Sequence, residues 1–118
     1  MKDFRVLRVW KKSHQLVIDI YAVSKNFPKD ELYGLVSQIR RSAVSIPSNI
    51  SEGCGRLSDA ELARFMVIAS GSASELEYQL LLSKELDFIT LKEYEVLAND
   101  LTEIHKMLHS FIKKLNLK

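Results

Sequence analysis

Proline and glycine are nearly missing, two and four in 118 residues, which excludes a collagen-like or Pro/Gly-rich low-complexity chain. With 47% apolar residues, intrinsic disorder is excluded too. Cysteine occurs once, at Cys54, so neither an intramolecular disulfide nor a multi-cysteine zinc site can form, and a reducing cytoplasm is the natural setting. No apolar run approaches the roughly 20 residues of a membrane span. The charged start MKDFRVLRVW lacks the apolar stretch of a secretory signal. The chain therefore reads as soluble, cytoplasmic and unprocessed, with no membrane contact. Its length suits one domain, residues 1–118, around a single core.

Charge is present but unevenly placed. Residues 1–56 carry a net +5, residues 57–103 a net −7, and residues 104–118 add four lysines, for an overall +2. Such segregation can steer a basic surface toward nucleic acid or let one subunit's basic face meet another's acidic face.

Apolar residues recur at helical spacing almost throughout, and the fold class is all-α. The first helix is expected over Val9–Asn26, ending before Pro28, with Trp10, Val17, Ile20, Tyr21 and Phe27 inward and Val9, Ile18 and Val23 widening the apolar surface. A second helix starts near Glu31 and buries Leu32, Leu35, Ile39, Ala43, Ile46 and Ile50. The third begins at Asp59, where Ser58 and Glu61 form a capping box and Leu57 and Leu62 a staple; its stripe runs Leu62, Met66, Ala69, Ala73, Leu76, Leu80. Within it, Ala69–Ser74 is built of small residues only, which invites close packing. The fourth begins at Leu91 behind the box Thr90/Glu93, with Tyr94, Leu97, Leu101, Ile104, Leu108, Phe111 and Leu115 on one face. Four helices with short connections make an antiparallel up-down-up-down bundle.

The segment SIPSNISEG, Ser45–Gly53, interrupts an apolar helix with polar residues. Its apolar stripe continues through Pro47 without losing phase, which places the proline inside the second helix and predicts a bend. Gln38, Ser42, Ser45, Asn49 and Glu52 form a polar stripe beside the apolar one, with Ser48 and Ser51 able to reach freed backbone groups. Two readings stand: a hydrogen-bonded seam against another helix or subunit, and a contact with ligand or nucleic acid. Gly53 and Gly55 follow as a helix cap.

Catalytic patterns are weak. No histidine lies in or near the second helix in sequence to serve its serines, no Gly-x-Ser-x-Gly occurs, and no glutamate has histidine three positions on, as carboxylate-bridged di-metal bundles require. His105 and His109 are spaced to share a metal, yet the first lies at the core edge and the second faces outward. No metal, cofactor or small-molecule substrate is expected. One enzyme pattern survives as an alternative: Arg8 and His14 resemble the Arg-x(4 to 6)-His signature of small helical HEPN-class ribonucleases. The remaining signal is basic. Arg5, Arg8, Lys11 and Lys12 crowd the N-terminus, Arg56 should join them from the end of the second helix, and Arg40 and Arg41 point away from the core. Repeated around a ring, such residues could contact phosphates without sequence preference. A scaffold that touches no nucleic acid is the further alternative.

The run FPKDELYGLVSQIRRSAVSIPSNISEGCGR, followed by IASGSASELEYQL, resembles the 23S rRNA-intervening-sequence proteins from about Leu7 to Leu115. The shared marks are the Phe-Pro opening, Gln-x-x-Arg before Ser-x-Pro-Ser-Asn-Ile, Glu-Gly-x-Gly-Arg and the Gly-Ser of the third helix. The resemblance implies a four-helix bundle assembled as a ring-shaped homopentamer, with no catalysis. A similar accessory factor of diversity-generating retroelements binds a reverse transcriptase and nucleic acid; this chain is only mildly basic by comparison.

Overall fold

The computed structural model describes residues 2–116. Four helices carry the chain: α1 (Arg8–Ser24), α2 (Ser37–Cys54), α3 (Asp59–Glu85) and α4 (Leu91–Asn116), with no strand among the described residues. Short 3-10 turns occupy Phe4–Val6 and Lys29–Glu31, and a π-helical turn, Leu32–Val36, leads into α2. The particle measures 46 × 23 × 20 Å, and α3, about 40 Å long at 1.5 Å per residue, sets its length. The broadest contact is between α2 and α3, followed by α3 with α4, while α1 closes the circuit by touching α2 and α4.

Both predicted starts, Asp59 and Leu91, are where α3 and α4 begin. At α4 the capping box is complete: the Glu93 N–H donates to Thr90 Oγ1 at 3.0 Å and the Thr90 N–H to Glu93 Oε1 at 2.8 Å. At α3 only half forms. Ser58 Oγ accepts from the Glu61 N–H at 3.1 Å, but the Glu61 carboxylate takes Arg64 Nε instead. Nor does the expected staple form, because Leu57 is 92% exposed. The stripes of α3 and α4 pack inward as the spacing required, with Tyr94 and Phe111 half-buried at the margin.

Two expectations for the first half need correction. α1 runs Arg8–Ser24 instead of Val9–Asn26, because Asn26 and Phe27 donate to carbonyls three residues back and tighten the chain into a turn. Its buried row is Val9, Ser13, Leu16, Ile20 and Ser24, while Tyr21 and Ile18 are exposed and Trp10 and Val17 half-buried. Two serines therefore occupy core positions. Ser13 Oγ donates to the Trp10 carbonyl and Ser24 Oγ to that of Tyr21, so burial leaves neither hydroxyl unpaired.

The second helix is also not continuous from Glu31. Gly34 leaves helical geometry at φ −106°, ψ −111°, the chain passes through the 3-10 and π turns, and regular helix starts only at Ser37. Leu32, on the far side of this break, is exposed instead of buried. From Leu35 onward the stripe Ile39, Ala43, Ile46, Ile50 is buried, and α2 stays one helix through Pro47. Gly53 does not end it. The helix continues to Cys54, with Gly55 as the cap residue, and Gly53 lies buried against α3.

Candidate nucleic-acid interface

Most of the predicted cations are already engaged. Lys12 Nζ stands 2.9 Å from Glu103 and 3.5 Å from Asp100 on α4. The hydrogen bond from Lys12, and then its charge, are the main causes that hold the Glu103 carboxyl below its usual range, with the charges of Lys106 and Arg8 adding smaller pushes. In return, the bond to Glu103 raises Lys12. Arg5 pairs with Asp3 at 3.2 Å and lies over the Phe4 ring. Arg56 pairs with Glu52 at 2.7 Å and covers Phe65. As expected, the end of α2 meets the N-terminal segment: the Lys2 N–H donates to the Cys54 carbonyl at 2.9 Å.

Arg40 and Arg41 do not join that cluster. Arg40 Nε donates to Ser24 Oγ at 2.8 Å, and Ser24 is the last residue of α1 whereas Arg8 is the first. The 17-residue helix separates the two ends by about 25 Å.

A different set of cations gathers where α1 begins and α4 ends. A groove of about 670 Å³ has a floor of Val9, Met107, Phe111 and Leu115 and a rim of Lys2, Arg8, Lys106 and Lys114, with no carboxylate among its lining residues. None of these four cations has an ion pair among the described residues. Lys11, exposed on the next turn of α1, is likewise without one. Of the predicted set, the groove therefore takes Arg8 alone. Lys106 and Lys114 were legible in principle, since Lys106, Ser110 and Lys114 recur at strides of four and share a face.

The polar stripe of α2 mostly turns inward to the protein. Ser42 Oγ donates to the Gln38 carbonyl. Ser45 Oγ meets Ser72 Oγ of α3 at 2.8 Å, and Asn49 Nδ2 donates to both the carbonyl and the hydroxyl of Ser45. Ser51 Oγ donates to the Pro47 carbonyl. Gln38, Ser48 and Glu52 stay exposed. Within the chain the central part of this stripe is a seam between α2 and α3.

Arg8 and His14, six positions apart on one helix, stand about 120° apart around its axis. The His14 ring stacks flat on Trp10 at 4.8 Å. On α4, His109 Nε2 lies 3.2 Å from Ser70 Oγ, and His105 is 3.9 Å from Glu77.

The outward face of α3 is unusually apolar for a surface. Val67, 55% exposed, and Tyr78, 61% exposed, follow one line of the helix with Leu81, and Gly71 lies between them with nothing within 4 Å of where a Cβ would stand. A helix apolar on both its inner and outer sides is suited to being covered twice. Among the described residues nothing packs against the site a side chain at Gly71 would fill.

No helix among the described residues is long and apolar enough to cross a membrane. Residues 5–110 match the family model for the 23S rRNA-intervening sequence protein. Six solved chains match the fold. One, from Bacteroides thetaiotaomicron, is a protein of unknown function from the S23 ribosomal protein family; it is 36% identical with a TM-score of 0.83, covering 89% of this chain and 98% of that one. No curated protein matches.

Proposed function

Since the chain belongs to the 23S rRNA-intervening sequence protein family, we propose that it is a non-enzymatic, oligomeric interaction module that contacts RNA or DNA, or a protein that processes them. The observation that carries this reading is the groove between the start of α1 and the end of α4. Four cations without ion pairs among the described residues surround it and no carboxylate lines it, which is the electrostatic footprint of a phosphate-binding surface. Cytoplasmic placement accompanies it, supported by the lone unpaired Cys54.

An up-down-up-down bundle fits the cross-helix contacts. Ser45 faces Ser72 while Gly53, later in α2, faces Leu62 and Phe65, earlier in α3. Likewise Ser70 reaches His109 and Glu77 reaches the earlier His105. Further copies would cover the outer face of α3 around Gly71, and a ring of five is the assembly the family resemblance implies. Each copy would then bring one cationic groove.

Labelled RNA titrated across a salt series tests the reading. Binding should weaken as salt rises, with the RNA recovered intact, and the Lys106→Glu/Lys114→Glu variant should lose affinity and lower the salt slope by roughly one per phosphate contact removed. In light scattering, Tyr78→Glu should yield a smaller species. Cleavage of the RNA that disappears in His14→Ala would replace this reading with the ribonuclease one, and a wild type that binds neither RNA nor DNA would leave a scaffold alone.

A further inference from the structure

Tyr33 has 93% of its surface open, yet it is not on a loop tip. It belongs to the kinked stretch Leu32–Val36, broken at Gly34, whose Leu35 N–H is held by the Glu31 carboxylate at 3.1 Å. Beside Tyr33 opens a hollow of about 480 Å³ lined by Tyr21, Arg40, Arg41 and Val44 and by no carboxylate. The Arg40 guanidinium is fixed there, 4.5 Å over the Tyr21 ring and bonded to Ser24. Arg41 is exposed, with no ion pair among the described residues.

We infer that this hollow receives unpaired bases of a single-stranded nucleic acid, one stacked on the Tyr33 ring, with Arg41 on an adjoining phosphate. Two guanidiniums without a carboxylate select a polyanion. The Tyr33 ring, open to solvent, selects bases, which offer their π-faces only when they are not stacked inside a duplex. The inference rests on the nucleic-acid reading above and names the class of strand. It occupies a separate place, because the hollow lies at the Ser24 end of α1 and the cationic groove at the Arg8 end.

Fluorescence anisotropy of the full chain with a labelled single-stranded RNA of about 12 nucleotides, within the usual footprint of such binders, and with the same sequence as a duplex, tests it. Tyr33→Ala should weaken single-strand binding about tenfold while Tyr33→Phe, which keeps the ring, retains it. Arg41→Ala should lower the salt slope by about 0.7, and duplex affinity should be the same in Tyr33→Ala as in wild type. Equal single-strand binding by wild type and Tyr33→Ala overturns the inference and leaves the groove reading standing. No binding of either RNA by wild type overturns the inference, and no binding of DNA in addition overturns the nucleic-acid reading it rests on. A smaller assembly of Tyr33→Ala in light scattering, with unchanged RNA affinity, assigns the ring to a second copy and overturns the inference as well.

Discussion

Gly53→Ala adds one methyl group inside α2, where alanine is ordinarily better than glycine by about 1 kcal/mol. The new Cβ would stand 2.8 Å from the Phe65 Cβ, 3.0 Å from Leu62 Cδ1 and 3.4 Å from the Leu62 carbonyl oxygen. Carbon atoms pack best at about 3.5–4.0 Å, so roughly 1 Å of retreat is needed. Leu62 Cδ1 can rotate away, but the Phe65 Cβ is bonded to the α3 backbone, and relief requires moving α3 along its broadest contact. Overpacking of this kind costs about 1–3 kcal/mol. Because the clash is with a rigid atom, the upper half of that range applies, and the helix gain offsets part of it, leaving a net loss of about 1–2 kcal/mol. At the roughly 4 °C per kcal/mol expected near this size, the thermal midpoint followed by circular dichroism should fall by about 4–8 °C. Protein concentration must be held fixed, since assembly shifts apparent stability. Gly71→Ala is the internal control. Its Cβ would meet nothing within 4 Å among the described residues, and dilute protein should gain up to about 1 kcal/mol. A Gly53→Ala midpoint equal to or above wild type would show that the α2–α3 spacing is not what demands glycine.

The Ser45–Ser72 hydroxyl contact at 2.8 Å should give a coupling of about 1 kcal/mol in a double-mutant cycle with alanine, read from urea midpoints; zero coupling would remove it as a bond between helices. The Lys12–Glu103 pair predicts a pH profile. The Glu103 pKa is lowered in the folded state by the Lys12 hydrogen bond, so its contribution is complete above the unfolded value of about 4.3 and lost as pH falls through the folded one. Lys12 is raised chiefly by the same bond, so its share is complete below about 10.4 and lost as pH rises through its folded value. The stability difference between wild type and Glu103→Gln should be level from about pH 5 to pH 10, shrink at either side and diminish in high salt, as exposed pairs do. A difference that grows on acidification contradicts the pairing.

The legible parts of the fold are those in which chemistry and periodicity agree. Thr90 and Glu93 announce the start of α4 because reciprocal hydrogen bonding needs that spacing, and both bonds form. The buried row of α1 departs from its hydropathy pattern for a physical reason. Its core row includes Ser13 and Ser24 at 0% and 2% exposure, and a hydroxyl that bonds its own helix backbone can be buried while a hydropathy pattern counts it as polar. Tyr21, counted inward for its ring, instead lies outside beneath the Arg40 guanidinium. Gly53 was misread because glycine near a helix end reads as a cap. Its actual requirement, the approach of Phe65, comes from a residue twelve positions away on another helix and leaves no local mark.

The candidate site was less legible than the fold, since charge counts do not say which charges are already answered. The excess of cations in residues 1–56 and of anions in residues 57–103 is partly cancelled within one chain. Lys12 is held by Glu103 and Asp100 across α1 and α4, and Arg5 and Arg56 are held by carboxylates in their own segments. What is left without an ion pair is distributed by topology. The groove assembles Lys2 and Arg8 from one terminus with Lys106 and Lys114 from the other, a pairing that exists only because α4 ends beside the start of α1. Segregation along the sequence therefore overstates the basicity of the first half and does not say that lysines of the last turns of α4 meet it in one groove. The mild net charge of +2 is compatible with a locally cationic groove, because a phosphate seated there has four cations and no carboxylate among the lining residues, while charges beyond a Debye length of about 8–10 Å are largely screened.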